Sequence, residues 1–281
     1  MTEQQTPGGW SDQERVRRWV AGARQREAQM APISDALFAA AALGPGEAVL
    51  DVGVGTGPTS TRAAGLVGPG GRVVGADLSP AMIEAASTAS GPEVEWLVAD
   101  AQTHDFGEGV FDAVISRFGV MFFPDPTAAF ANLHRAARPT GRLVMAVWQT
   151  RDQVPLFDLP YRTAAAVLDE LGLPYEPAGI SDNACSLGTH ERIVSVLAPA
   201  GWRDIETRPT TQVIHLNGYR TPTEAAADSL DIGPIRTLVE GRPPEVLAII
   251  RERLALAYAP LHDGTGVAMP GGFMIVTARH T

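Results

Sequence analysis

The run Asp51-Val52-Gly53-Val54-Gly55-Thr56-Gly57 packs one carboxylate and three glycines into seven residues. Glycines at alternate positions let a chain turn tightly and bring a ligand against bare peptide groups, with no Cβ between them. Two more acids follow. Asp77 stands 24 residues after Gly53, and Asp100 comes next, followed by Ala101. A carboxylate at Asp77's distance from a glycine turn can accept from both hydroxyls of a ribose. Asp100 with Ala101 supplies an acceptor beside an adenine amino group. A single Asp at a strand end is commonly just a turn or cap former, but three in register with a glycine turn point to a nucleoside pocket.

Such a pocket needs strands to carry the acids, and the hydrophobic pattern predicts them over 47–51, 72–77, 94–99, 111–116 and 142–148. A helix is expected from the glycine turn to about Val67. A second starts at Pro80 with Ser79 as N-cap, and a third covers 127–138, closed by Pro139-Thr140-Gly141. Strands and helices alternating at this spacing imply a parallel α/β sheet with right-handed crossovers. After Trp148 the rhythm breaks: 150–188 holds Pro155, Pro160 and Pro174. A helix over 191–197 and an extended run over 205–216 resume the sheet, helices are expected over 224–230, 234–240 and 244–258, and 272–278 reads as a last strand. Before the sheet, Ser11 and Glu14 form a capping box for an amphipathic helix with Val16, Trp19, Val20 and Ala23 on one face. Arg15, Arg17, Arg18, Arg24 and Arg26 read as its solvated face, and Trp10 and Trp19 as candidates for a lid.

Composition narrows the chemistry. The 281 residues carry 22 Lys plus Arg against 32 Asp plus Glu, a net charge of −10, and every cation is arginine. Without lysine there is no Schiff base, no pyridoxal phosphate attachment and no phosphate-loop lysine. The acidic balance disfavours nucleic acid. With 45% hydrophobic residues, a sizeable core can form. The polar opening residues lack the pattern of a signal peptide, apolar stretches such as 36–43 are too short to span a bilayer, and the single Cys185 excludes an internal disulfide. A cytoplasmic, metal-free protein is expected, with a small-molecule substrate and a homodimer as a possible assembly.

Charge also selects among nucleoside ligands. A dinucleotide fingerprint would need glycine where Pro58 stands, and Asp51, with no cation in the turn, would repel a pyrophosphate. A ligand bearing a sulfonium and an ammonium is attracted instead, which favours S-adenosylmethionine over NAD.

Here the sequence resembles the class I S-adenosylmethionine-dependent methyltransferases, closely over 48–148 and less beyond. The resemblance lies in VLDVGVGTG, VVGADLSPAMIEAA, VEWLVADAQTHDF, FDAVISRFGVMFFPDP and LHRAARPTGRLVMAVW, the last two being similar to a subgroup of quinone-type and small-molecule methyltransferases. It implies a Rossmann-like, seven-stranded, mostly parallel sheet with helices on both faces. A helical cap comes from insertions after strands five and six. The expected organisation is a lid over 1–45, core over 46–149, 189–218 and 269–281, and cap insertions over 150–188 and 219–268. For the cofactor it implies contacts from Asp51, Gly53, Gly55, Thr56 and Gly57, with Asp77 on the ribose. Leu78 and Met82 would flank the adenine, Asp100 and Ala101 its edge, and Ser116 or Arg117 would lie over the methionine part.

Methyl transfer is an in-line displacement in which the protein aligns the nucleophile and excludes water. A general base can be modest or absent. None of the six histidines sits in a motif. His215 and His262 are better placed than His104, His134, His190 or His280, and no base is assigned. Phe118, Phe122 and Trp148 are expected to line an acceptor pocket, with Met121, Phe157 and Tyr161 as further walls. Ordinary core packing is the alternative for each. The expected reaction is methylation of a small, largely apolar acceptor of secondary metabolism, at oxygen before carbon or nitrogen. A non-methylating reaction on the same scaffold, such as cyclisation, and an NAD-dependent oxidoreductase are the competing readings.

Overall fold

The computed structural model describes residues 17, 19–216 and 220–281. The expected capping box of Ser11 and Glu14, with Trp10, Arg15, Val16 and Arg18, lies outside the described residues. Seven strands, β1 (Ala48–Val52), β2 (Arg72–Asp77), β3 (Val94–Val98), β4 (Phe111–Arg117), β5 (Ala137–Trp148), β6 (Arg203–His215) and β7 (Ala268–Arg279), form one sheet in the order β3-β2-β1-β4-β5-β7-β6. The pairs joining β1 to β5 are parallel, and β7 runs antiparallel to both of its neighbours. All five residues of β1 are buried, as expected for a central strand covered on both faces.

Local chemistry sets the helix starts. Helices α2 (Pro58–Val67), α3 (Pro80–Ala89) and α4 (Pro126–Ala136) all begin on proline, and the Asp125 side chain caps α4 by accepting from Ala128 N. Cap insertions carry α5 (Pro155–Glu170), α7 (Pro222–Ser229), α8 (Arg236–Val239) and α9 (Pro244–Tyr258), while α6 (His190–Leu197) leads into β6. Thr221 and Glu224 form a full capping box on α7. No described helix is long and apolar enough to cross a membrane.

Helix α1 (Ala23–Ala41) runs well past the amphipathic segment expected at the start of the chain. It continues through Pro32, buries Ile33, Leu37, Phe38 and Ala41, and ends with Ala42 left-handed at φ 46°. Its second half packs on the strands of the sheet, so Leu37, Phe38 and Ala41 of the apolar segment 36–43 are core. The expected turn Pro139-Thr140-Gly141 instead falls inside β5, where Thr140 has φ 68° and the register with β4 shifts.

At the edge of the sheet remote from the strands' carboxyl ends, His134 stacks on His280 with ring centres 3.8 Å apart, and Trp202 meets His134 edge-on. His134 Nε2 and His280 Nδ1 are buried without a partner. Burial, then the neighbouring His280 and Arg203, lower the His134 pKa below its ordinary value of 6.5. The folded state therefore prefers neutral His134, and this contribution to stability is lost as pH falls below about 6.5. His134→Phe is expected to reduce the loss of melting temperature between pH 7 and pH 5; an unchanged pH slope would contradict it.

Candidate functional site

A cavity of about 360 Å³ opens across the carboxyl ends of the strands, bounded by the glycine turn, α1 and the cap. Its floor lies where β1 and β4 part, the switch point of the sheet. There the turns after the two strands touch. A Cβ built on Gly53 would lie 2.5 Å from Gly119 Cα, so no larger residue fits at either position without displacing the other loop. Ser116 fastens the contact: its hydroxyl donates to Val52 O at 2.7 Å and accepts from Gly119 N at 3.2 Å. Gly55, at φ 56°, would meet nothing within 4 Å if given a Cβ, so the space beside its Cα is open.

Asp77 governs the shape of the turn. Its Oδ2 accepts from Gly55 N and its Oδ1 from Ser79 N, each at 2.9 Å. Burial raises its pKa against the pull of these donors. Asp100, at the end of the next strand, is exposed, and its Oδ1 accepts from Gln102 N. Leu78 lines the cavity while 44% exposed, and Met82 and Ala101 line it as buried neighbours. Gly53, Gly55, Thr56, Asp77, Leu78, Met82, Asp100, Ala101 and Arg117 thus line one cavity.

Three expected contacts lie elsewhere. Asp51 is 1% exposed and does not line the cavity; its Oδ2 accepts from the hydroxyls of Thr59 and Ser60, both at 2.6 Å, which ties β1 to the first turn of α2. Gly57 is turned inward, its missing Cβ leaving room for Trp96 and Ala86. Ser116 is wholly buried in the loop contact. These residues shape the turn from behind.

Arg117 reaches the cavity wall, as do Arg26 and Arg236. Its guanidinium is spent on a two-pronged pair with Glu27 of α1, at 2.9 and 2.6 Å, and a bond to Ser34 Oγ at 2.5 Å. The Arg117 side chain is 14% exposed, so the pair is shielded and clamps α1 against the end of β4. Arg26 in turn lies over the Trp19 ring, 3.8 Å from its centre, and donates to Trp19 O. Burial lowers its pKa to about 10. Glu27 and Arg26 had no motif to reveal them; only the fold brings α1 to β4.

Much of the rest of the wall is apolar. Phe118 takes a left-handed backbone, φ 64°, rare for a bulky residue, and its ring stacks on Trp148 with centres 4.1 Å apart. Phe157 of α5 meets Trp148 edge-on. Phe118, Met121, Phe122, Trp148 and Phe157 all line the cavity, whereas Tyr161 does not. Tyr161 lies under Arg151, and its hydroxyl accepts from Ala178 N inside the cap. His215, which belonged to no motif, lines the cavity at the end of β6.

Burial, which outweighs the hydroxyl bonds from Ser60 and Thr59, raises the Asp51 pKa to about 6. A raised carboxyl pKa gives stability that is present below pH 4 and lost as pH rises through 6. Asp51→Asn keeps an acceptor for the two hydroxyls and cannot ionise. It is expected to gain stability at pH 7 relative to pH 4 by on the order of 2 kcal/mol in denaturant unfolding; equal effects at both pH values would refute the assignment.

A family model described as a methyltransferase domain matches residues 50–145, the segment from β1 to β5. An uncharacterized protein of Mycobacterium tuberculosis is 39% identical over 135 residues, 46% of this chain and 48% of that one; the chain thus spans about half the length of such relatives. A demethylmenaquinone methyltransferase of Beutenbergia cavernae is 33% identical over 177 residues, 59% of this chain and 70% of that one. Among solved structures, Haemonchus contortus phosphoethanolamine N-methyltransferase 2, in complex with S-adenosylhomocysteine, has a TM-score of 0.52 at 18% identity, covering 88% of this chain and 52% of the other. A 4+2 cyclase has a TM-score of 0.51 at 18% identity, covering 88% and 79%. At such identities the solved structures share the fold, while the Beutenbergia relative shares sequence over most of its length: the chain belongs to the class I S-adenosylmethionine-dependent methyltransferases.

Proposed function

We propose that the protein is an S-adenosylmethionine-dependent methyltransferase acting on a small, largely apolar acceptor, with oxygen the favoured site of methylation. The observation that carries this reading is the division of one cavity into two chemistries. On the β1–β3 side it presents a bare peptide at Gly55 with the acids Asp77 and Asp100; towards β5 and the cap it presents Phe118, Trp148 and Phe157.

The first half suits the cofactor. Nothing stands over Gly55 within 4 Å of where a Cβ would be, which leaves room for a ligand against the backbone. Asp77 would accept from the ribose with lone pairs not used on Gly55 and Ser79. Leu78, an apolar residue left 44% exposed on the wall, would flank the adenine with Met82, and Asp100 and Ala101 would meet its edge. Pairing Arg117 with Glu27 offsets one of the charges that would repel a cationic ligand. When bound, S-adenosylmethionine supplies a methyl group activated by its sulfonium. The protein's own part is to hold the acceptor in line and exclude water, and the apolar wall and α1 suit both tasks.

Calorimetry with S-adenosylhomocysteine tests this reading. The wild type is expected to bind it and to give no heat with NAD. Asp77→Ala should weaken binding by about 1–3 kcal/mol, through loss of a charge-assisted hydrogen bond, and Gly55→Val should abolish it while the protein stays folded. Undiminished binding by either variant would overturn the placement of the cofactor. With labelled cofactor and candidate acceptors, formation of S-adenosylhomocysteine separates methyl transfer from a cyclisation that leaves the cofactor intact.

A further inference from the structure

Helix α1 presents one stripe to the cavity. Ala23, Arg26 and Met30 line it, with Trp19 a turn earlier and Gln29 beside them. Residues three or four apart share a face of a helix, so Arg26 stands on the cavity side, not on the solvated face expected for the arginines around it. The turn that carries it is anchored. Glu27, the next residue, grips Arg117 at 2.9 and 2.6 Å, and Arg117 ends β4, one of the two strands that part at the switch point.

On this stripe donors outnumber acceptors. The flat face of the Arg26 guanidinium is committed to the Trp19 ring, and one N–H donates to Trp19 O. Its other N–H groups have no partner, and no carboxylate pairs with it, among the described residues. The neighbouring carboxylate, Glu27, is spent on Arg117. Burial lowers the Arg26 pKa to about 10, as it does for a cation drawn out of water without a counter-charge. One helical turn along, Gln29 Nε2 is buried without a partner. Buried donors in a folded chain ordinarily have acceptors. A desolvated guanidinium and an orphaned amide on one cavity wall therefore call for an anionic acceptor, and a carboxylate matches the guanidinium with two parallel bonds.

We propose that Arg26, with Gln29 beside it, is the subsite for the carboxylate of the cofactor's amino-acid tail. The inference rests on the methyl-transfer reading. With the nucleoside against Asp77 and Asp100, the tail runs past Gly55 towards the switch point, above which α1 is anchored. Arg117, the cation expected over the methionine part, is taken by Glu27, and its task passes to Arg26. No bond forms or breaks at this subsite; it fixes the direction of the tail. Arg26 also carries Trp19, so the residue that holds the carboxylate sets an aromatic ring in the same wall.

Calorimetry with two ligands tests it: S-adenosylhomocysteine, and 5′-methylthioadenosine, which keeps the nucleoside and the sulfur but lacks the amino-acid tail. The wild type should prefer the first. Arg26→Gln should weaken S-adenosylhomocysteine by about tenfold and Gln29→Met by about threefold, while both leave 5′-methylthioadenosine unchanged. Arg26→Lys, which keeps a cation without the fork, should keep part of the preference. Decanoic acid, an apolar carboxylate without a nucleoside, is titrated into protein saturated with S-adenosylhomocysteine, and Arg26→Gln should respond to it as the wild type does. An unaltered preference in Arg26→Gln overturns the proposal. So does an equal loss for both ligands, which would show Arg26 acting through Trp19. A response to decanoic acid that disappears with Arg26 overturns it too, by giving the subsite to an acceptor's acid. In each of these outcomes cofactor binding stands. A wild type that binds neither nucleoside removes both readings.

Discussion

Gly53 and Gly119 approach more closely than any side chain would allow, and the site is organised around that contact. At the switch point of a doubly wound sheet the chain leaves adjacent strands in opposite directions, which opens a crevice. Here the crevice has a floor, because the two loops meet and Ser116 bonds both. On one side the floor carries the turn whose Gly55 is fixed by Asp77. On the other it carries Phe118 in its left-handed conformation, from which the ring stacks on Trp148. The half of the cavity beside the glycine turn and the aromatic half thus share one foundation.

The charges are disposed to the same end. A chain without lysine has only arginine for its cations, and near the cavity those arginines are committed. Arg117 is taken by Glu27 and Ser34, and Arg26 is buried against Trp19. Asp77 and Asp100 are left on the nucleoside side with backbone donors for company. A guanidinium matches a carboxylate with two parallel bonds, so the Arg117–Glu27 pair both cancels a charge and fixes the direction of α1.

Most of the sheet was legible because its signals are local. Apolar runs bounded by glycine, proline and acids mark β1 to β4 to within a residue or two, and the proline starts of α3 and α9 follow directly from helix-end chemistry. Spacing pointed to Gly55, Asp77 and Asp100, and the family resemblance to Leu78, all of which line the cavity. What spacing does not carry is direction. Asp51, Gly57 and Ser116 belong to the same motifs, yet their side chains, or the lack of one, serve packing behind the turn. The alternation of a strand and the sharpness of a turn decide which neighbour faces the ligand. Long-range partners were the least legible. Glu27 reaches Arg117 across 90 residues and Asp263 reaches His215 across 48, and neither pair has a local signature. Helix α1 was foreshortened because its apolar face was followed only as far as Ala23; the fold carries the helix across Pro32 and buries the turns beyond.

The glycine contact also bears on how such a site can diverge. Each of the two glycines is the wall against which the other rests, so neither can be exchanged for a larger residue with the other as compensation. The floor is thereby closed to gradual substitution. The aromatic half is less restricted, because its walls are side chains, Phe118 after β4, Trp148 at the end of β5 and Phe157 of the cap, where one apolar residue can replace another of different size. A lineage built on this chain would keep its foundation and vary its walls, so the shape of the aromatic half could drift while the glycine turn stayed where two peptide backbones fix it.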